Sequence, residues 1–132
     1  MFYPLLVHAM KAFFPTHGDL PGIGDLDVEA FVRDELLQDL HGMMRVGVLA
    51  STLAFVLLPF WTVWRPVPSF LLSEATLDRH AQNMAGSEVY LIRSAALLIK
   101  MVGGFHWARH ASVRSSWALE PYPKDPDTWR AV

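Results

Sequence analysis

The sequence predicts an all-α protein: a small bundle of about five helices followed by an extended, proline-rich tail over 119–132. Three observations carry that expectation. Apolar residues recur at three- and four-residue spacing in several separate stretches, as they do on the buried face of a helix. No stretch alternates apolar and polar side chains with the period of two that a half-buried strand requires. Prolines, glycines and capping residues punctuate these stretches at intervals that suit helix starts and stops. At 132 residues the chain is expected to form one domain, 1–132.

The first helix is read over 5–14, where Leu5, Leu6, Ala9, Met10 and Phe13 share a face, and it ends at Pro15. "PTHGDLPGIGDLD" is then a loop. A second helix starts at Asp27, read as the N-cap, with Leu26 and Phe31 placed as a hydrophobic staple. Its apolar face is Val28, Phe31, Val32, Leu36 and Leu40, opposite Arg33, Asp34, Glu35 and Asp39. Gly42 separates it from a charge-free run over 46–64, which ends at "RPVP". Ser73 is read as the N-cap of a further helix, stapled by Leu72 and Leu77. Another helix is expected from Glu88 to about Val102, stopped by Gly103 and Gly104. Pro121, Pro123 and Pro126 make the tail extended, lying on the chain's own surface or on a partner's.

Composition narrows the function. Hydrophobic residues make up 52% of the chain and charged residues only 18%, against roughly 25% charged in ordinary soluble domains. Too few charges cover too much apolar surface, so the chain is expected to aggregate without a partner. A net charge of −2 offers no field to draw in phosphates, and nucleic acid is not expected as a partner. With no cysteine, the chain supplies no disulfide, thiolate metal site or iron-sulfur ligand. No export leader is read at the N-terminus, which favours the cytoplasm or a membrane surface, or the periplasm if a partner carries the chain across.

Candidate chemistry is sparse. His106 and His110 have the spacing that places two imidazoles on one helix face, as zinc or haem ligands require. Trp107 stands where a metalloprotease glutamate would, and no third ligand is evident, so the pair reads as two histidines near a helix end. His8, His17, His41 and His80 read as surface or boundary residues. Gly18, Gly22 and Gly24 precede a helix without a preceding strand, which makes a turn rather than a dinucleotide site. Asp25 and Asp27 read as loop and cap residues, not an acid-base pair. No catalytic, cofactor or metal residue is therefore assigned to this chain. The aromatic residues carry more information: Phe60, Trp61 and Trp64 close the charge-free run, and Phe105, Trp107, Trp117, Tyr122 and Trp129 populate the C-terminal third. They suit either core packing or anchoring in an interface with a partner.

Taken in order, "FFPTHGDLPGIGDLDVEAFV" (13–32), "PSFLLSEATLDRHAQNM" (68–84) and "SEVYLIRSAALLIKMVGGFHWARHASVR" (87–114) resemble the small subunit of flavin-dependent dehydrogenases, the gluconate 2-dehydrogenase subunit 3 type. The resemblance implies a non-catalytic, chaperone-like accessory subunit that binds and stabilises a large glucose-methanol-choline oxidoreductase acting on alcohol or sugar hydroxyls. FAD would then belong to that large subunit, and any further electron carrier to another chain. It also implies that the run over 46–64 is an internal helix, which suits the small residues Gly47, Ser51 and Ala54 and the break at Pro59. Many members of that family begin with a twin-arginine leader, and this sequence begins at the first helix. The alternative reading is a single-span membrane anchor of a redox complex, since 46–64 is long enough to cross a bilayer.

Overall fold

The computed structural model describes residues 3–16 and 20–121, and every regular element among them is helical, as the sequence predicts. The elements are α1 (Tyr3–Phe13), α2 (28–39), α3 (Gly42–Leu57), α4 (Pro59–Thr62), α5 (Glu74–Ala85), α6 (Tyr90–Arg109) and α7 (Ala111–Ser116). Five of them have seven residues or more, and α4 and α7 are single short turns. Tyr122 and Trp129, with most of the tail, lie outside the described residues, as does His17.

α1 is the central element. It touches α2, α3, α5 and α6, and contributes the buried Leu6, Val7, Ala9 and Met10. The core adds Val28, Phe31, Val32, Phe55, Met84 and Ile99 from the surrounding helices. α2 buries the face read from its sequence, but it does so with a wide π-helical stretch, Phe31–Leu36. Residues four apart (Val28, Val32, Leu36, Leu40) drift around an α-helix of 3.6 residues per turn, and the wider winding takes up that drift. Asp27 is not the side-chain cap expected of it. Its φ of 54° is left-handed and its carboxylate makes no capping bond, so the residue serves as a bend into α2. Ser73 does cap α5: its Oγ accepts from the Thr76 N–H at 3.3 Å.

Two boundaries differ from expectation. α6 starts at Tyr90 and runs straight through Gly103 and Gly104 to Arg109. Gly103 is buried there, and a Cβ on it would stand 3.1 Å from Phe14 Cε2 and 3.4 Å from Met10 Cγ. Its small size lets α6 approach α1; it does not end the helix. The charge-free run is likewise not one helix, because Pro59 cannot donate to the ladder and α3 ends at Leu57. Sixteen residues of α3 span about 24 Å at 1.5 Å per residue. Among the described residues, no single helix is long and apolar enough to cross a membrane. Val48, Ser51, Thr52, Phe55 and Val56 of α3 instead face the protein interior, and Gly47 abuts Leu98 of α6.

Candidate partner-binding surface

α3 and α6 lie side by side and both pack on α1, so the faces they turn away from α1 form one outer surface. That surface is apolar. On α3 it carries Met43, Val46, Leu53 and Leu57, with Ala50 between them, and Met43 is 85% exposed. The spacing 43, 46, 50, 53, 57 is the alternation of three and four that marks a helix seam built to meet another helix. On α6 the outward residues are Tyr90, Leu97, Met101 and Phe105, all exposed. Of these eight side chains, only Phe105 stands out in the sequence, as one of the C-terminal aromatics. α3 is apolar nearly all round, so the exposed stripe is visible only once the buried stripe (Val48, Ser51, Thr52, Phe55) is known.

Charge is segregated around this surface. The chain has no Asp or Glu between Asp39 and Glu74, and none between Glu88 and Glu120. The ionisable groups in those two stretches are cationic or histidine, apart from Tyr90, and Arg45, Arg65, Arg93 and Lys100 are all exposed. Helices α3 and α6 themselves therefore offer a partner apolar side chains and cations, and no carboxylate.

The aromatic residues fall into two groups. Phe60, Trp61 and Trp64 extend the α3 stripe through α4 into the next loop, and all three are exposed. Trp64 is 82% exposed and has a φ of 56°. A bulky residue held left-handed costs about 1–2 kcal/mol, and so exposed a side chain returns little of it in packing. Trp107, by contrast, is half-buried and serves the fold. Its indole N–H donates to Pro21 O at 2.9 Å, its ring stacks on Phe14, and Trp117 meets it edge-on with centroids 5.2 Å apart. Trp117 keeps its outer side exposed.

The segment bearing Phe60, Trp61 and Trp64 is tied down from inside by histidines. His80, read from the sequence as a surface or boundary residue, is completely buried. Its Nε2–H donates to Phe55 O at 2.7 Å, which leaves Nδ1 to accept from the Thr62 hydroxyl of α4. Asn83 donates to Thr62 O at 2.8 Å, and His8 Nε2 bonds the buried Ser69 Oγ at 3.0 Å. His8 and His80 both contact the Phe55 ring, at 5.7 and 4.7 Å between centroids. Sequence offered no sign of this, since His80 meets partners 18 and 25 positions away.

His106 and His110 do not share a helix face. α6 ends at Arg109, and His110 turns out of it to cap α7, with Nδ1 accepting from the Ser112 N–H at 3.2 Å. His106 Nε2–H donates to Leu26 O at 2.6 Å, and its ring stacks on Phe31 with centroids 4.3 Å apart. Both imidazoles thus work as structural links, and no group of three or more metal-ligating side chains occurs among the described residues.

Burial holds the imidazoles of His8, His80 and His106 below their ordinary value of 6.5, with Lys11 adding to the effect at His8. The unfolded chain then binds more protons than the folded one as the solution is acidified. Stability is complete above about pH 6.5 and falls as pH drops through the lowered folded values, by at most about 1.4 kcal/mol per unit for each histidine. Urea unfolding of the dilute chain should show a midpoint that holds from about pH 8 to 7 and then declines towards about pH 5.5. A midpoint unchanged across that range would contradict the buried neutral imidazoles.

Comparison with protein-family models, with curated proteins and with solved structures found no match to this chain.

Proposed function

We propose that this chain is a non-catalytic accessory subunit that docks the outer face of α3 and α6 onto a large partner protein. The observation that carries the reading is the pair of exposed apolar stripes on adjacent helices, one with the three-four alternation of a helix seam. Monomers rarely leave such a surface open. The partner's class follows from the sequence resemblance: a glucose-methanol-choline oxidoreductase that holds FAD and oxidises alcohol or sugar hydroxyls. On this reading the small subunit covers an apolar surface of the flavoprotein and helps it fold, while the redox chemistry stays in the large chain.

Co-expression tests it. With such a flavoprotein from the same genome, the chain should become soluble and co-purify, whereas alone it should aggregate. Leu53→Asp combined with Leu97→Asp places a carboxylate on each stripe at exposed positions, so the fold should survive. Burying two unpaired carboxylates in the interface should lower association roughly a hundredfold or more. A soluble monomer at high concentration, or a double variant that still co-purifies, would overturn the reading.

A further inference from the structure

We propose that the outward side of segment 59–72 is a docking surface for an anionic lipid bilayer, so that the subunit lies against a membrane without crossing it. Its contact residues are Phe60, Trp61, Trp64, Phe70 and Leu71, all exposed, with Arg65 among them. The proposal goes beyond the accessory-subunit reading and does not depend on which protein covers α3 and α6.

Three features point to lipid. The first is rigidity with exposure. Thr62 is fixed by His80 and Asn83, and Ser69 by His8, so the segment's Thr62 and Ser69 hydroxyls are held inward while its largest apolar groups face out. A segment merely left over from folding would carry small polar residues outside. The second is backbone form. Past Thr62 the chain is irregular as far as Ser69, with Pro66 and Pro68 in it and Arg65 N–H reaching back to Pro59 O at 3.2 Å. The four-residue α4 and the 3-10 turn Ser69–Leu71 on either side of it are too short to offer the long helical ridge that α3 and α6 present to a partner helix. A bilayer interface demands no such complementarity, and takes tryptophan and phenylalanine at headgroup depth.

The third feature is charge. No carboxylate lies between Asp39 and Glu74 in the sequence, and Arg65, next to Trp64 in the chain, lines a shallow depression with Pro66, Val67, Leu71 and Leu72. A cation bordered by proline, valine and leucine side chains complements the negative surface of an anionic leaflet. The left-handed Trp64 belongs to the same account. Glycine would suit that turn better, and tryptophan there leaves the largest of the side chains 82% exposed.

The full chain, synthesised in a cell-free system with vesicles present, tests this by flotation, which separates lipid-bound protein from aggregates that sink. The chain should float with vesicles containing phosphatidylglycerol and float several-fold less with phosphatidylcholine alone. Trp61→Ser with Trp64→Gly should cut flotation roughly tenfold while leaving helicity intact, since both side chains are exposed and glycine adopts the left-handed turn readily. Leu53→Asp with Leu97→Asp should float like the parent. No flotation with anionic vesicles, or equal flotation of the tryptophan variant, would overturn the proposal. So would loss of flotation in the Leu53/Leu97 variant alone, which would move the lipid contact to α3 and α6. In lipid-free buffer the tryptophan variant should still co-purify with the flavoprotein. Loss of co-purification there would make the tip a protein contact and would also overturn the lipid assignment, while the accessory-subunit reading would stand.

Discussion

Replacing Phe55 by alanine is expected to remove about 3–5 kcal/mol of folding stability, a large share of the roughly 5–15 kcal/mol that a domain possesses. Phe55 is 0% exposed and meets the rings of His8, Phe13 and His80, which come from two different helices. Its loss leaves a hole at the place where α1, α3 and α5 converge, and rigid aromatic walls cannot collapse into it. The Phe55 carbonyl remains, so the bond from His80 at 2.7 Å has no chemical reason to disappear. Phe55→Leu should therefore cost much less, because it keeps most of the volume and all of the hydrogen bonding. Urea unfolding of both variants, followed by far-UV circular dichroism, separates the cases. A cost below about 1 kcal/mol for the alanine variant would mean that these rings do not form the packed junction described.

Gly22→Ala is expected to be nearly as damaging, for a reason unrelated to glycine's flexibility. Gly22 has an ordinary φ of −75°. A Cβ there would stand 2.5 Å from the Thr16 nitrogen and 2.9 Å from Phe14 O, both backbone atoms that cannot swing aside. The loop must then open. Opening breaks the Ile23 N–H bond to Phe14 O at 2.9 Å and loosens the knot in which the Thr16 hydroxyl donates to Asp25 and the Gly22 N–H to both side chains. It also shifts the completely buried Ile23, and moves Pro21 O, which accepts from Trp107. Together these changes should cost about 2–4 kcal/mol. Gly24, two positions on, is the control: a Cβ there would meet only the Lys11 side chain, at 3.3 Å, and a lysine stem moves easily. Gly24→Ala should lie within about 0.5 kcal/mol of the parent, and equal costs at the two positions would contradict the close approach at Gly22.

These two glycines also mark how far the sequence could be read. Both stand in "LPGIGDLD", which is legible as a loop, but whether a Cβ fits depends on the backbone of 14–16 folding back against it. Helices α1 and α2, the Ser73 cap and the all-α class were legible because each rests on contacts within one or two turns. Gly103 was misread as a stop because its role lies in Phe14 and Met10, some ninety positions away. His80 was misread because burial of a histidine is decided by the partners that satisfy its nitrogens, here Phe55 O and Thr62. Aromatic clustering draws attention to Phe60, Trp61 and Trp64, which the structure leaves exposed, but Met43, Leu53 and Leu97 carry no such mark, since the many apolar residues of their helices hide which stripe is left uncovered.

The break after Leu57 has a further meaning during synthesis. The run over 46–64 leaves the ribosome well before α6, and 32 residues separate the end of α3 at Leu57 from the start of α6 at Tyr90. At about 5–20 residues per second, that interval lasts roughly 2–6 seconds. Until α6 is made, the side of α3 that α6 will cover stays open, although α4 and α5 emerge within the interval, and a nascent charge-free segment of this length is the kind of cargo that insertion machinery accepts. Pro59 divides the segment before α6 exists to cover it. The proline thus leaves a 16-residue helix of about 24 Å and a separate short turn, each shorter than the roughly 30 Å of hydrocarbon that a spanning helix has to cover.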